Sequence, residues 1–270
     1  MTARYQLAGG SMIGRDHRLV PKNNQDSWSI WRFDDITIGI VADGCGSGSH
    51  SDVGARLGVQ IAGACLRKEY RSDRIIRWQR IQQHMLTQLD GLAQAMGDDY
   101  RKIVESHFLF TLLGVVIDDQ KATFFALGDG TIIINGQPLM IGPFEGNMPP
   151  YLGYNLLLDE LAMDPGMVRL EPIWEVPINQ LESFLIATDG VDDVIRNSQH
   201  SLPGLSTLVG PIDQFWQNDR YFGSNPELIS RQLKLIGRDW PVAQPHPGLL
   251  GDDTTMIVGR RQPVTDKEET

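Results

Sequence analysis

Apolar and polar positions alternate clearly in only a few places along this chain, and those places anchor its reading. In residues 27–33, Trp28 and Ile30 alternate with Ser27 and Ser29, the period of a half-buried strand. A second apolar run, 36–42, follows across Asp34-Asp35, so the two predict a β-hairpin. The second run ends in Asp43-Gly44-Cys45-Gly46-Ser47-Gly48, a glycine-rich loop. Val53, Leu57, Ile61 and Ala64/Cys65 then recur at helical spacing. A second helix is predicted with Ser72 as its cap, a stripe of Ile81, Met85, Leu89, Leu92 and Met96, and Gly97 as its stop.

Strand character returns at 108–117, which is apolar on both faces and predicts a central, covered strand. Asp118-Asp119-Gln120 turns the chain into 122–127, which ends at Gly128-Asp129-Gly130, and 131–134 predicts a further strand. Residues 136–180 are rich in Pro and Gly and predict an excursion or flap. A short strand at 184–187 ends in Thr188-Asp189-Gly190. Asn225 and Pro226 predict a helix start, continued by Leu228, Ile229, Leu233 and Ile236. A loop with Pro241, Pro245 and Pro247 leads to Gly251-Asp252-Asp253 and a last strand at 255–259. Strands early and late with helices between predict an α+β chain with antiparallel sheets, not a βαβ dinucleotide fold. No repeat or linker divides it, so residues 1–260 are read as a single domain and 261–270 as a polar tail.

Composition changes this picture modestly. With 270 residues and a hydrophobic share of 41%, the chain is ordinary globular material and not disordered. A net charge of −10 with a pI near 5.0 argues against a nucleic-acid partner. Two cysteines make no disulfide framework, and the first residues lack an apolar signal segment, so a cytoplasmic protein without a membrane partner is expected. Glycine is in excess, 28 of 270 residues, or about 10% against a typical ~7%.

The candidate chemistry lies where the glycines meet the acids. Asp43, Asp129, Asp189 and Asp252 each follow or precede a predicted strand with glycine close by, and Asp26 precedes the first hairpin strand. A single Asp-Gly is a favoured turn dipeptide and carries little weight. Five such positions are another matter. Carboxylates gathered at one sheet edge repel one another unless cations neutralise them. Oxygen ligands without His or Cys select hard ions such as Mg2+ or Mn2+.

Taken in order, NNQD, VADGCGSG, ALGDG, IATDG and GDDTTMIV resemble the motif series of the metal-dependent type-2C protein Ser/Thr phosphatases, from about Gly14 to Val258. The resemblance implies a four-layer α-β-β-α sandwich, two antiparallel sheets flanked by antiparallel helix pairs, with a binuclear metal centre at one edge. It implies that Asp43 bridges two Mg2+ or Mn2+ ions and that the Gly44 carbonyl binds one of them. Asp189 and Asp252 hold the other side, and Asp129 serves a possible third ion. Asp26 orients water, and Asp253 supports the ligands without touching the ions. The implied reaction is hydrolysis of phosphoserine or phosphothreonine in a protein by a metal-activated water, opposing a partner kinase or acting on the kinase itself.

The chain departs from that pattern at several points. Pro21 stands where the family carries a phosphate-binding arginine, with Arg15, His17, Arg18 and Lys22 nearby, and Arg18 or His17 is the expected substitute. Gln25 stands where Glu is common, and Gly130 where a small hydroxyl residue is usual. Cys45 occupies the place where animal relatives carry a His general acid, and is expected to be a buried packing thiol; His50 is expected on a surface loop. The segment 147–151 falls in the family's variable flap, and His246 precedes the last motif. Loss of the arginine motivates an alternative: a catalytically weak, metal-stabilised binding or sensor domain of the same fold.

Overall fold

Strand pairing decides the architecture, and it begins before the first predicted strand. The computed structural model describes residues 5–142, 144–161, 164–239 and 247–262. Its strands are β1 (Tyr5–Met12), β2 (Asp26–Arg32), β3 (Thr37–Asp43), β4 (Leu112–Ile117), β5 (Lys121–Leu127), β6 (Gly130–Ile134), β7 (Gln137–Ile141), β8 (Glu171–Pro177), β9 (Ser183–Ala187) and β10 (Thr254–Arg261). Its helices are α1 (Arg15–Leu19), α2 (Ser51–Asp73), α3 (Trp78–Met96), α4 (Tyr100–His107), α5 (Leu158–Leu161), α6 (Val191–Arg196), α7 (Gln214–Gln217) and α8 (Leu228–Gly237). The strands form two antiparallel sheets, ordered β1-β10-β9-β6-β7 and β2-β3-β4-β5-β8. None of the described helices is long and apolar enough to cross a membrane.

The sheets face each other across Val41, Leu113, Val115, Phe124, Ile186 and Ile257, all fully buried. On the outer face of the β2–β8 sheet lie α2, α3 and α4, packed through Ile38, Ile40, Val59, Leu66, Met85 and Phe125. Over the other sheet lie α8 and the shorter α6 and α7, packed through Leu185, Val194, Phe215, Leu233 and Val258. The order of layers is α-β-β-α.

Several elements differ from the sequence reading for identifiable reasons. Strand β1 carries Gly9 and Gly10 and so shows no apolar alternation; a Cβ at Gly9 would lie 2.6 Å from the Trp28 ring. The flap region contains the edge strands β7 and β8, whose mostly exposed positions hide their period. In α2 the buried stripe is Gly54, Ala55, Gly58, Val59, Ala62, Cys65 and Leu66, while Val53 is exposed. Small residues bring this helix close to its neighbours: a Cβ at Gly54 would lie 1.8 Å from the His107 carbonyl oxygen. Ser72 lies inside α2 and caps nothing; α2 ends at Arg74, in the left-handed region at φ 59°, and α3 starts at Trp78. Helix α8 starts at Leu228, and the Asn225 side chain accepts a bond from the Glu227 amide instead of capping the helix. The covered strand is β4 alone, shorter than the 108–117 run. Of the expected polar tail, Arg261 pairs with Tyr5 in the β1–β10 ladder; residues 263–270, like Pro241, Pro245 and His246, lie outside the described residues.

Candidate metal centre

The β2–β3 ladder opens with Asp26 directly opposite Asp43, which places two carboxylates side by side at one end of a sheet. Asp43 closes β3, and its amide donates to Thr111 Oγ1 at 3.2 Å. Asp129 sits in the β5–β6 turn between Gly128 and Gly130, both at positive φ (101° and 142°), where a side chain would strain the backbone. Asp189 follows β9 just before α6, and Asp252 precedes β10. Both sheets therefore contribute carboxylates to the same end of the sandwich.

Asp43, Asp129, Asp189 and Asp252 line one cavity of about 110 Å3. Gly44 and Gly46 line it with main chain. At Gly44 only glycine fits, because a Cβ would lie 2.7 Å from the Ser51 carbonyl oxygen and 2.9 Å from that of Gln25. His17, Cys45, Pro149 and Tyr151 complete the wall. Asp26 does not line the cavity and lies buried beside Asp43, 5% exposed.

Behind the cavity, hydrogen bonds fix the carboxylates. Thr188 Oγ1 donates to Asp26 Oδ2 at 2.8 Å and receives the Thr255 amide at 3.0 Å, which joins the two sheets. Asp253, 2% exposed, accepts from the amides of Gly14 (2.7 Å) and Gln25 (2.6 Å), and its Oδ2 lies 2.9 Å from His17 Nδ1. With these partners Asp253 holds α1, the start of β2 and the Asp252 turn together. Gln25 donates through Nε2 to Gly48 O (2.9 Å) and Ser51 Oγ (2.6 Å), clamping the glycine-rich loop onto α2.

The unbalanced charge is visible in the carboxyl groups. Burial, and then the Asp253 charge, push Asp26 well above the ordinary carboxylate range. Burial, and then Asp26 and Asp189, do the same to Asp43. Asp189 is pushed up to about 7, first by burial and then by Asp252 and Asp129. Asp26 Oδ1 and Asp189 Oδ1 are buried and have no hydrogen-bond partner. Buried, unpaired carboxylate oxygens beside like charges are costly. Cations would relieve both faults, and an all-oxygen donor set fits Mg2+ or Mn2+. His17, Asp252 and Asp253 also offer ligand atoms within 4.8 Å of one another, although Asp253 already accepts from two backbone amides; His17 Nδ1, buried 2.9 Å from Asp253 Oδ2, has no hydrogen-bond partner.

Of the residues singled out in the sequence, the structure brings Asp43, Gly44, Asp129, Asp189, Asp252 and His17 to one cavity and sets Asp26 behind it. Arg18 is placed elsewhere: its guanidinium donates to Gly237 O at 2.7 Å and lies 3.5 Å from Asp239. Arg15 pairs with Asp16, and Lys22 Nζ donates to the Gly46 carbonyl at the cavity edge. Cys45 is half-buried: it packs against the core on the α2–α4 side and also lines the cavity, so it is not the fully enclosed thiol expected from the sequence. His50 is exposed, its ring 4.8 Å from that of His107. Thr188 was missed, since its hydroxyl has no spacing of its own.

A sequence profile described as Protein phosphatase 2C matches residues 13–221. No curated protein sequence matches the chain. Among solved structures, the chain is similar to a bacterial serine phosphatase at 12% identity, covering 97% of this chain and 100% of that one, with a TM-score of 0.52. It is also similar to the Mycobacterium tuberculosis serine/threonine phosphatase PstP/Ppp at 14% identity, covering 96% and 99%, with a TM-score of 0.50. At these identities the likeness is one of fold.

Proposed function

The chain belongs to the protein phosphatase 2C family, and we propose that it hydrolyses phosphoserine and phosphothreonine in proteins with two Mg2+ or Mn2+ ions. One observation carries this reading: carboxylates from the ends of β3, β5 and β9 and the start of β10 converge on one cavity, where Asp189 Oδ1 is buried without a partner. Asp43, the Gly44 carbonyl, Asp189 and Asp252 would hold the two ions, with Asp129 available to a third. When bound, such ions supply positive charge for the phosphoryl oxygens and an activated water for in-line attack on phosphorus. No protein nucleophile is required.

The chain's own residues set the geometry. Thr188 fixes Asp26 from the opposite sheet, so that Asp26 can orient the attacking water without competing for an ion. His17 lines the cavity with its Nδ1 2.9 Å from Asp253 Oδ2, whereas Arg18 is engaged at Gly237. His17, not Arg18, is therefore the proposed stand-in for the missing arginine. The substrate is proposed to be a phosphoprotein made by a partner kinase, or the kinase itself, met in the cytoplasm.

A second reading, a catalytically weak metal-stabilised binding or sensor domain, is favoured by one feature: neither lysine nor arginine is among the residues lining the cavity. Turnover of an aryl phosphate and a phosphopeptide with Mn2+, against the same protein in chelator, separates the two. Metal-dependent turnover that disappears in Asp43→Asn supports the phosphatase. Wild type and Asp43→Asn equally inert would leave the binding domain standing.

A further inference from the structure

A phosphoryl group entering the cavity brings oxygen charge that needs hydrogen-bond donors as well as cations. Among the lining residues, three side chains can donate: His17, Cys45 and Tyr151. A thiol is a weak donor, and that of Cys45 is already 3.1 Å from Ser47 Oγ. Tyr151 is different in kind. It is 8% exposed, yet it lines a cavity to which four aspartates contribute.

Its position is also firmly set. The ring packs edge-to-face on Tyr154, with centroids 5.5 Å apart. The Tyr154 amide donates to the Tyr151 carbonyl at 3.0 Å, and the Leu152 amide to the Phe110 carbonyl at 3.3 Å. Phe110 in turn forms a β-bridge with Gly44. The segment bearing Tyr151 is thus fastened to the same backbone that carries the Gly44 carbonyl. Burial, and then the neighbouring Cys45 with which the hydroxyl shares a hydrogen bond, push the phenol far above its ordinary range; sulfur is a weak acceptor, so this neutral donor would exchange it for a charged phosphoryl oxygen.

We propose that Tyr151 contacts the substrate: its hydroxyl donates a hydrogen bond to a non-bridging oxygen of the phosphoryl group. This rests on the phosphatase reading above. It gives the flap a direct part in anion recognition, where the chain lacks a cavity-lining arginine.

Tyr151→Phe keeps the ring and removes only the hydroxyl. The test is titration of inorganic phosphate into Mn2+-loaded protein by calorimetry, with kcat and KM for a phosphopeptide measured alongside. A hydrogen bond to a charged oxygen predicts phosphate affinity and kcat/KM lower by about tenfold in Tyr151→Phe. Mn2+ affinity and melting temperature stay at wild-type values, and Tyr154→Phe behaves as wild type. Equal phosphate affinity in Tyr151→Phe and wild type overturns the proposal. So does a loss matched by an equal loss of Mn2+ affinity, which would assign Tyr151 to the metal framework. Wild type without Mn2+-dependent turnover overturns the phosphatase reading alone, and the phosphate titration then decides Tyr151 by itself. Loaded wild type that binds no phosphate overturns the Tyr151 proposal and leaves the phosphatase reading to the turnover measurement.

Discussion

At the scale of single residues, the centre separates groups that would touch ions from groups that hold them in place. Asp43 belongs to the first kind. Its neutral isostere keeps the shape but removes a charge that cations need. Asp43→Asn should lower Mn2+-dependent turnover at least about a hundredfold, since metal ions contribute several kcal/mol to such reactions; steady-state rates against metal concentration check it. Asp253 belongs to the second kind, with two buried amides and the His17 ring as partners. Asp253→Ala strands those donors and should destabilise the fold by about 3 kcal/mol, read as a shift in denaturant midpoint at constant slope. The sequence made the acidic residues legible because each sits with glycine at the end of an apolar run. Thr188, Tyr151 and the exposure of Cys45 were not legible, because contacts between residues far apart in the chain leave no local pattern. Arg18 and His17 looked equivalent in sequence, and only the direction of the short helix α1 separates them.

At the scale of elements, the glycines of the helices divide by surroundings. Gly54 faces the His107 carbonyl at a distance that leaves no room for a methyl group, and both partners are backbone. Gly54→Ala should therefore destabilise by about 2 kcal/mol through overpacking, against the helix propensity that favours alanine. Gly91, in α3, has nothing within 4 Å of its would-be Cβ. Gly91→Ala should stabilise by about 0.5–1 kcal/mol. Paired thermal melts check the opposite signs, and a common sign would contradict this account of α2. The same close packing explains why α2 was placed correctly while its buried face was misread. Hydropathy finds large apolar residues, and this helix buries small ones. Strands β1 and β8 escaped for a related reason: glycine in one and exposed edge positions in the other erase the alternation on which strand reading depends.

At the scale of the whole molecule, the centre couples stability to pH and to metal. Asp189 titrates near 7 in the folded chain against 3.8 ordinarily, and Asp26 and Asp43 are raised in the same direction. The metal-free folded protein therefore holds protons that the unfolded chain has lost. Between about pH 4 and pH 7 its stability must fall as pH rises. Cations held by the ionised carboxylates would reverse that slope. In chelator, the protein should melt at least a few degrees lower at pH 8 than at pH 5.5; with saturating Mn2+ the order should invert. A flat profile in chelator would contradict the crowding of charge described here. Little of this was visible in the net charge of −10, which says how many acids there are and not where they meet.

The β1–β10 ladder runs the length of both strands, from Tyr5 opposite Arg261 to Met12 opposite Thr254, and among the described residues β10 is the one sheet neighbour of β1. During synthesis β1 therefore waits for its sheet partner until the other described strands have left the ribosome. The segment entering β10 also brings Asp252 and Asp253, so the last of the lining carboxylates and the partner of β1 arrive together. A nascent chain that has made Asp43 and Asp189 still lacks the carboxylates that close the site. Completion of the cavity is thus tied to synthesis of the segment that enters β10, and a chain halted before residue 252 would present only three of the four carboxylates that line it.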